Sequence, residues 1–373
     1  MVRVIASQKN WIEGAALEQL RKTARLPGVI DAVGMPDLHP GKDAPIGAVF
    51  VTDAYIYPHL VDRDIGCGIS LWQLELPRAK ITADKLDRRL ASELEGAWDG
   101  NREELLRAEG IQESTPFDAH SLGTIGYGNH FAEISRISEV LDEQRFADLG
   151  LEARFLYLLI HSGSRGFGES VFEKHAENFG KTGLYASSPE AQAYLAAHNH
   201  ALAWARANRT LIAQRLMEAL RTEGMKILDV SHNHVLPATI GDQHCWLHRK
   251  GAVATDGGPI VIAGSRGSLS YLVEGVGDQT NNVCTVAHGA GRKWKRGECR
   301  DRLQARFSPT DLLKTSLGSK VICDDKDLLY EEAPHAYKNI DVVVHDLVDA
   351  GLIRVIATLA PLITYKKRRK NER

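Results

Sequence analysis

Histidine, cysteine, aspartate and glycine gather in a few short segments of this chain. Asp64-Ile-Gly-Cys-Gly68 sets a carboxylate three residues before a thiol. Gly128-Asn-His130, His161-Ser-Gly-Ser-Arg-Gly166 and Ser231-His-Asn-His234 each set an imidazole among glycine, asparagine or serine. Together Asp64, Cys67, His130, His161 and His232 offer one carboxylate, one thiolate and three imidazoles. Such a mixed set suits one or two borderline or hard divalent ions such as zinc or manganese. The donors are far apart in sequence, unlike the compact spacing of a zinc finger. Taken singly, each histidine also reads as a hydrogen-bonded core or cap residue, and Cys67 as a small buried hydrophobe. Their joint occurrence in glycine-bracketed loops is what points to a metal.

A second group of segments suits phosphate. Gly264-Ser-Arg-Gly267 follows the apolar run Ile260–Ala263, and His288-Gly-Ala-Gly-Arg292 leads into Lys293, Trp294, Lys295 and Arg296. Glycine-rich loops expose backbone N–H groups to anions. Arg165, Arg292 and the neighbouring lysines can clamp phosphate oxygens. Each loop alone also reads as a plain turn. For His288 three roles stay open: a metal ligand, a structural residue, or a nucleophile that attacks phosphorus and forms a phosphoramidate.

The elements that must hold these loops are alternating short strands and helices. Apolar runs of strand length lie at Gly47–Val51, Ile69–Leu74, Phe155–Ile160, Lys226–Val230 and Pro259–Ala263. Helical spacing covers residues 13–26, a segment opened by Thr82 as N-cap with Leu86, Leu90 and Leu94 on one stripe, the long stretch Pro189–Glu223, and Asn339–Ala350. No Pro/Gly/Ser-rich linker divides the chain, so the expected architecture is a single mixed α/β domain over 1–373, with a catalytic site built from loops at strand ends.

Composition sets the class. With 46 Lys+Arg against 48 Asp+Glu, the net charge of -2 excludes a uniformly basic nucleic-acid binder but not a local basic patch. Hydrophobic residues make up 43% and charged residues 25%, which excludes a disordered chain. The five cysteines form no CxxC pair, which argues against a disulfide scaffold and for a reducing, cytoplasmic setting. No run of roughly 18 apolar residues predicts a membrane span, and Met1–Asn10 has no signal-peptide core. The run Lys366–Lys370 reads, on composition alone, as a solvated tail.

The loops match a family in order along the chain. Met35-Pro-Asp-Leu-His-Pro-Gly41 with Pro45-Ile-Gly47, Asp64–Gly68, Gly123-Thr-Ile-Gly-Tyr-Gly-Asn-His-Phe131, His161–Gly166, His232-Asn233, His248-Arg-Lys-Gly-Ala252, His288–Arg292 and Glu332-Ala-Pro-His-Ala-Tyr-Lys338 resemble the RtcB RNA ligases, which join RNA ends using GTP and manganese. The resemblance implies that Asp64, Cys67, His130, His161 and His232 hold two Mn²⁺ ions, with Cys67 shared. It implies a guanine-nucleotide site at Asn129, His130, Glu133, His232, Asn233, Gly264, Ser265, Ser270, Gly289, Ala290, Gly291 and Lys366. It further implies that His288 becomes guanylylated and that Arg165 holds the RNA 3′ end, with Arg292 a further RNA contact. The implied reaction opens a 2′,3′-cyclic phosphate to a 3′-phosphate, activates it as RNA(3′)pp(5′)G, and joins it to a 5′-hydroxyl. The implied partners are RNAs with broken ends, such as rRNA or tRNA fragments, and an activating protein. The chain is shorter than many relatives and is similar to a bacterial branch associated with a release-factor-like partner, which suggests RNA repair.

Three departures bear on substrate and nucleotide preference: Lys42-Asp43 where a glycine-containing turn is common, Arg266 in place of a methionine, and the additional imidazole of His234. Two rival readings remain: a manganese phosphodiesterase or phosphatase that trims RNA ends without sealing them, and a non-enzymatic RNA-binding protein with a structural metal. His288 and its glycine loop separate the first rival from a ligase, because hydrolysis needs no covalent guanylate.

Overall fold

In the computed structural model, residues 1–90, 94, 98 and 100–368 are described. The fold is mixed α/β, with two principal sheets. The larger has eight strands and runs, in spatial order, Ile260–Ile262, Ser270–Gly275, Ile353–Lys367, Phe131–Val140, Phe155–Ser162, Gly68–Pro77 and Gly224–Ser231. The eighth, Lys320–Cys323, pairs in parallel with Ile353–Lys367 off this path. The smaller sheet has the order Val2–Val4, Val29–His39, Ile46–Thr52, Gln243–Lys250, Asn233–Ile240. A two-stranded ribbon of Ala252–Ala254 and Thr285–Ala287 completes the core framework.

The two sheets are consecutive in the chain at one point. Strand Gly224–Ser231 belongs to the large sheet and strand Asn233–Ile240 to the small one, so His232 alone makes the crossing. Its backbone N–H donates to Cys67 O at 2.8 Å, and Gly66 N–H donates to Asn233 O at 2.8 Å. These bonds zip the crossover onto the Asp64–Gly68 loop.

Helices cover the outer faces. Thr82 caps its helix, accepting from Lys85 N, and the helix runs Ala83–Arg89. Pro189–Leu220 starts with proline in its first turn, where the missing N–H costs nothing, and ends at Arg221 in the left-handed region. It lays Ile212, Leu216 and Leu220 against Trp72, Leu74, Leu156, Leu158 and Ile160 of the large sheet. The segment expected at 13–26 forms a shorter helix, Gly14–Thr23, and Ile340–Asp349 is capped by Asn339. All five apolar runs read as strands are strands.

Three readings of the sequence need correction. Leu94, expected on the helical stripe opened by Thr82, lies beyond Arg89, where that helix ends, and residues 91–93 are outside the described residues. His161 sits inside strand Phe155–Ser162 rather than in the loop after it. The Lys366–Lys370 run is not a free tail at its start. Lys366 is buried within the 15-residue strand Ile353–Lys367, and Arg368 pairs with Asp87. Arg369 and Lys370 lie outside the described residues.

Several buried imidazoles have too little nearby negative charge to offset their burial. Burial lowers His59 and His198 from the ordinary value of 6.5 to about 4, and His248 to about 3. The unfolded chain therefore takes up protons before the folded one does. The stability contributed by these groups is full above about pH 6.5 and is lost as pH falls toward their folded values. Melting temperature measured in the presence of a chelator, to exclude metal loss, should be flat from pH 8 to 7. It should then fall continuously from about pH 6.5 to 4.

Candidate active site: metal-type donors beside a nucleotide-sized cavity

Strand register assembles the donors. Gly68 pairs with Ser162 on one side and Ser231 on the other, and Phe131 pairs with His161. Cys67, His130, His161 and His232 therefore emerge at the same end of four adjoining chain segments. Cys67 Sγ lies 3.4 Å from His130 Nε2 and 3.3 Å from His161 Nε2, and His161 Nε2 lies 3.3 Å from His232 Nε2. Asp64 Oδ2 lies 2.7 Å from His130 Nε2. The donors form two overlapping groups, Asp64–Cys67–His130 and Cys67–His161–His232, with Cys67 common to both.

The chemistry of these donors fits a cation. His161 donates its Nδ1 proton to the carbonyl of Asn129 at 3.1 Å, which leaves Nε2 as a lone pair. Burial, reinforced by nearby imidazoles, keeps His161 and His232 neutral, far below the usual imidazole range. A lone pair directed at a sulfur and a second imidazole is unfavourable until a positive ion lies among them. Burial and Asp64 together push the Cys67 thiol well up, so a metal must displace its proton. Burial alone would raise Asp64, yet His130 and Arg165 outweigh it and hold the carboxylate at about 2.

The long helix braces this cluster from behind. Arg209 is fully buried; its Nη1 donates to Gly66 O (2.7 Å) and Ser162 O (2.8 Å), while Nε and Nη2 hold Asp229. Asn208 accepts from Gly123 N and donates to Gly163 O.

His288 follows strand Thr285–Ala287, with its ring centroid 4.8 Å from that of His232. Its Nδ1 lies 2.7 Å from Oδ2 of Asp37, which is fully buried. Asp37 accepts the Nδ1 proton, so Nε2 is presented as the free lone pair. The pairing of strands Val29–His39 and Ile46–Thr52 is interrupted between Gly34 and His39, which releases Asp37 toward His288. Lys338 Nζ donates to the carbonyls of Pro36 and Leu38 and fixes that segment.

A cavity of about 640 Å³ opens beside His288. Asn129, Glu133, Gly264, Ser265, His288, Gly289, Ala290, Gly291 and Lys366 all line it. Its buried end carries Glu133, whose oxygens accept from Ser135 and Thr364, and Lys366, whose Nζ donates to Gly128 O at 2.9 Å. Burial pushes Glu133 up to about 7 against the opposing effect of those bonds. Burial also lowers Lys366.

Other expected contacts are second-hand. Asn233 bonds the Asp64 carbonyl and Gly251 N–H, and Ser270 Oγ accepts from Gly264 N, so both shape loops rather than line the cavity. Arg165 adopts φ 60° and its Nη1 lies 3.3 Å from His130 Nδ1. Arg292 faces the cavity, but its guanidinium is engaged by Glu332, Tyr337 and the Glu331 carbonyl. Arg266 is buried, donating to Leu329 O, and His234 lies 3.3 Å from Arg249 Nη1. Asp43 pairs with Lys181. Sequence reading assigned no role to Asp37, Glu332, Tyr337 or Lys338, although all four lie inside the quoted motifs. Arg209, in a helix without a motif, gave no signal.

Comparison with known proteins shows the family. The family model described as "tRNA-splicing ligase RtcB" matches residues 19–115 and 95–367. The chain belongs to the RtcB family. It is 48% identical over 365 residues to the RNA-splicing ligase RtcB2 of Escherichia coli, covering 98% of this chain and 95% of that protein. It is 27% identical to RNA-splicing ligase RtcB1 of the same strain over 421 positions, covering 97% of each. It is also 29% identical to the RNA-splicing ligase RtcB of Mycobacterium tuberculosis over 436 positions, covering 92% of this chain and 99% of that protein. The last two alignments exceed the 373 residues of this chain, so those relatives carry segments opposite gaps here.

Because Cys67 serves both donor groups, Cys67→Ala should weaken binding at both positions, whereas His232→Ala should spare the Asp64–Cys67–His130 group. Calorimetric titration with Mn²⁺ in two buffers of different ionisation enthalpy checks this. It should also register proton release in the parent protein that is absent in Cys67→Ala.

Proposed function

We propose that this chain is an RNA ligase that uses GTP to join an RNA 3′-phosphate or 2′,3′-cyclic phosphate end to a 5′-hydroxyl end. The observation that carries the reading is His288, oriented by Asp37 and lying between the metal-type cluster and a cavity of nucleotide size. An end-trimming hydrolase needs no covalent guanylate, which is what an oriented imidazole beside a nucleotide-sized cavity can form.

Asp37 holds the Nδ1 proton of His288, and Nε2 attacks the α-phosphorus of GTP. A P–N bond forms, the P–O bond to pyrophosphate breaks, and the imidazolium charge that develops is stabilised by the buried Asp37 carboxylate. An oxygen of the RNA 3′-phosphate then attacks that phosphorus. The P–N bond breaks and neutral His288 is regenerated. The 5′-hydroxyl oxygen of the second strand attacks the 3′-phosphorus, GMP leaves and the hydroxyl proton is lost to solvent. Asp64, Cys67, His130, His161 and His232 would hold divalent metal, which when bound supplies positive charge to the phosphate oxygens. The rest is positioning.

The buried end of the cavity suits guanine. The Glu133 carboxylate can accept from the N1–H and N2–H edge, and the Lys366 ammonium can donate to O6. Adenine presents an acceptor at N1 and a donor at C6, the reverse of what these two groups satisfy.

The test uses GTP labelled at the α-phosphate with Mn²⁺. An acid-labile, alkali-stable protein adduct should form, vanish in His288→Ala, and form roughly 10²–10⁴-fold more slowly in Asp37→Asn, by analogy with loss of an imidazole-orienting carboxylate elsewhere. Donor strands ending in 2′,3′-cyclic phosphate or 3′-phosphate should be sealed to a 5′-hydroxyl acceptor, and 3′-hydroxyl donors should not. Absence of the adduct in the parent protein would overturn the reading.

A further inference from the structure

One exposed aromatic ring at the site is used neither by the metal-type cluster nor by the nucleotide cavity. Tyr127 is 62% exposed and lies three residues before His130. Gly126 and Gly128 flank it with φ of 102° and 68°, backbone conformations that side-chain-bearing residues rarely adopt. The loop therefore has a specified shape that presents the ring outward.

The surroundings of the ring are cationic. Lys367 Nζ donates to the Tyr127 hydroxyl at 2.7 Å and lies 3.9 Å from the ring centroid. Arg165 packs against Gly126, and Arg296 against Gly128. Lys366, one residue before Lys367, bonds the Gly128 carbonyl. The strand end thus supports one face of the ring, and the high exposure leaves the remainder to solvent. The loop connects directly to both reaction partners: Arg165 reaches His130 of the cluster, and Arg296 lines the cavity.

We propose that Tyr127 is a stacking platform for a nucleobase of the RNA strand entering the metal-type cluster, with Arg296 and Lys367 meeting the adjacent phosphates. This rests on the RNA-joining reading above. An aromatic face among cations is the arrangement by which proteins hold single-stranded nucleic acid without reading its sequence, since every base has a π face. Sequence tolerance suits an enzyme that must accept whatever base a break leaves at the end. A protein-docking patch is depleted in lysine, whereas Lys367 stands over this ring.

The experiment measures binding of a fluorescent single-stranded RNA with a 3′-phosphate to the full chain with Mn²⁺, alongside KM for RNA in ligation. Tyr127→Ala should weaken both by between about five-fold and a hundred-fold, while Tyr127→Phe and Tyr127→Trp stay near the parent. A single abasic nucleotide moved through the terminal four positions should reproduce the loss at one position in the parent protein and add nothing further in Tyr127→Ala. That substrate scan probes the contact without altering the protein, and if Tyr127→Ala misfolds, Tyr127→Leu, which keeps bulk but removes the π face, takes its place in the comparison. Equal binding by the parent and Tyr127→Ala, failure of Phe to rescue, or no abasic-sensitive position would overturn the proposal. If the parent binds no RNA at all, the ligase reading itself falls.

Discussion

The close approach of two backbones at Gly68 sets the geometry of the site. A β-carbon at this position would lie 2.4 Å from the carbonyl oxygen of Val230 and 2.8 Å from the Cα of Ser231. Only glycine lets strand Gly68–Pro77 end flush against Gly224–Ser231 without displacing either. Because Gly68 is also registered with Ser162, its position fixes three strand ends at once. Cys67 and His232, one residue beyond the paired positions, are consequently joined by a backbone hydrogen bond before any side chain is considered. The metal-type cluster is a product of register.

Donors that are to share a cation must be held close together, and the surrounding packing has to fix them there. Arg209 does so from the sealed side: a buried guanidinium paired with Asp229 and donating to Gly66 and Ser162 carbonyls clamps the two strand ends that carry Cys67 and His161. Removing one partner of such a pair leaves a buried charge unmet, so the brace cannot relax without a large penalty. The donors are thereby held in place ahead of any ion, which reduces the reorganisation that binding would otherwise require.

How much of this was legible in the sequence depended on the range of the interaction. Local signals were read correctly: Thr82 as a cap, Pro189 as a helix start, a helix over Asn339–Ala350 that the fold bounds at Ile340–Asp349, and five apolar runs as strands. The donors Asp64, Cys67, His130, His161 and His232 stood out because glycine and asparagine surround them. What pairs with what was not legible. Asp37 sits in an otherwise apolar stretch of a strand, and only a 251-residue separation closed by the fold brings it to His288. Arg209 is one of several arginines on a long helix whose period gives no hint that it points inward. Lys366 opens a basic run that any composition argument assigns to water, yet a strand of fifteen residues carries it into the interior.

The charge arrangement in the cavity explains why the near-neutral composition is compatible with a polyanionic ligand. Lys366, Arg292 and Arg296 surround the buried Glu332. Burial would raise that carboxyl, but these cations outweigh it and hold it at about 2. Its hydrogen bond from Tyr337 completes the set. Glu332 answers one of these three fixed cations, and Glu133 is the second carboxyl near Lys366, which makes the pocket polar and rigid and leaves only part of the positive charge for a ligand. A ligand that enters must offer hydrogen-bonding edges there, and a polyphosphate carries more charge than these residues leave unanswered. The exposed Lys42, Lys293 and Lys295 on the cavity wall can answer only part of that charge through water. The remainder falls to whatever cation the cluster beside His288 holds, so nucleotide and metal affinities are expected to be coupled, each ligand completing the charge balance of the other.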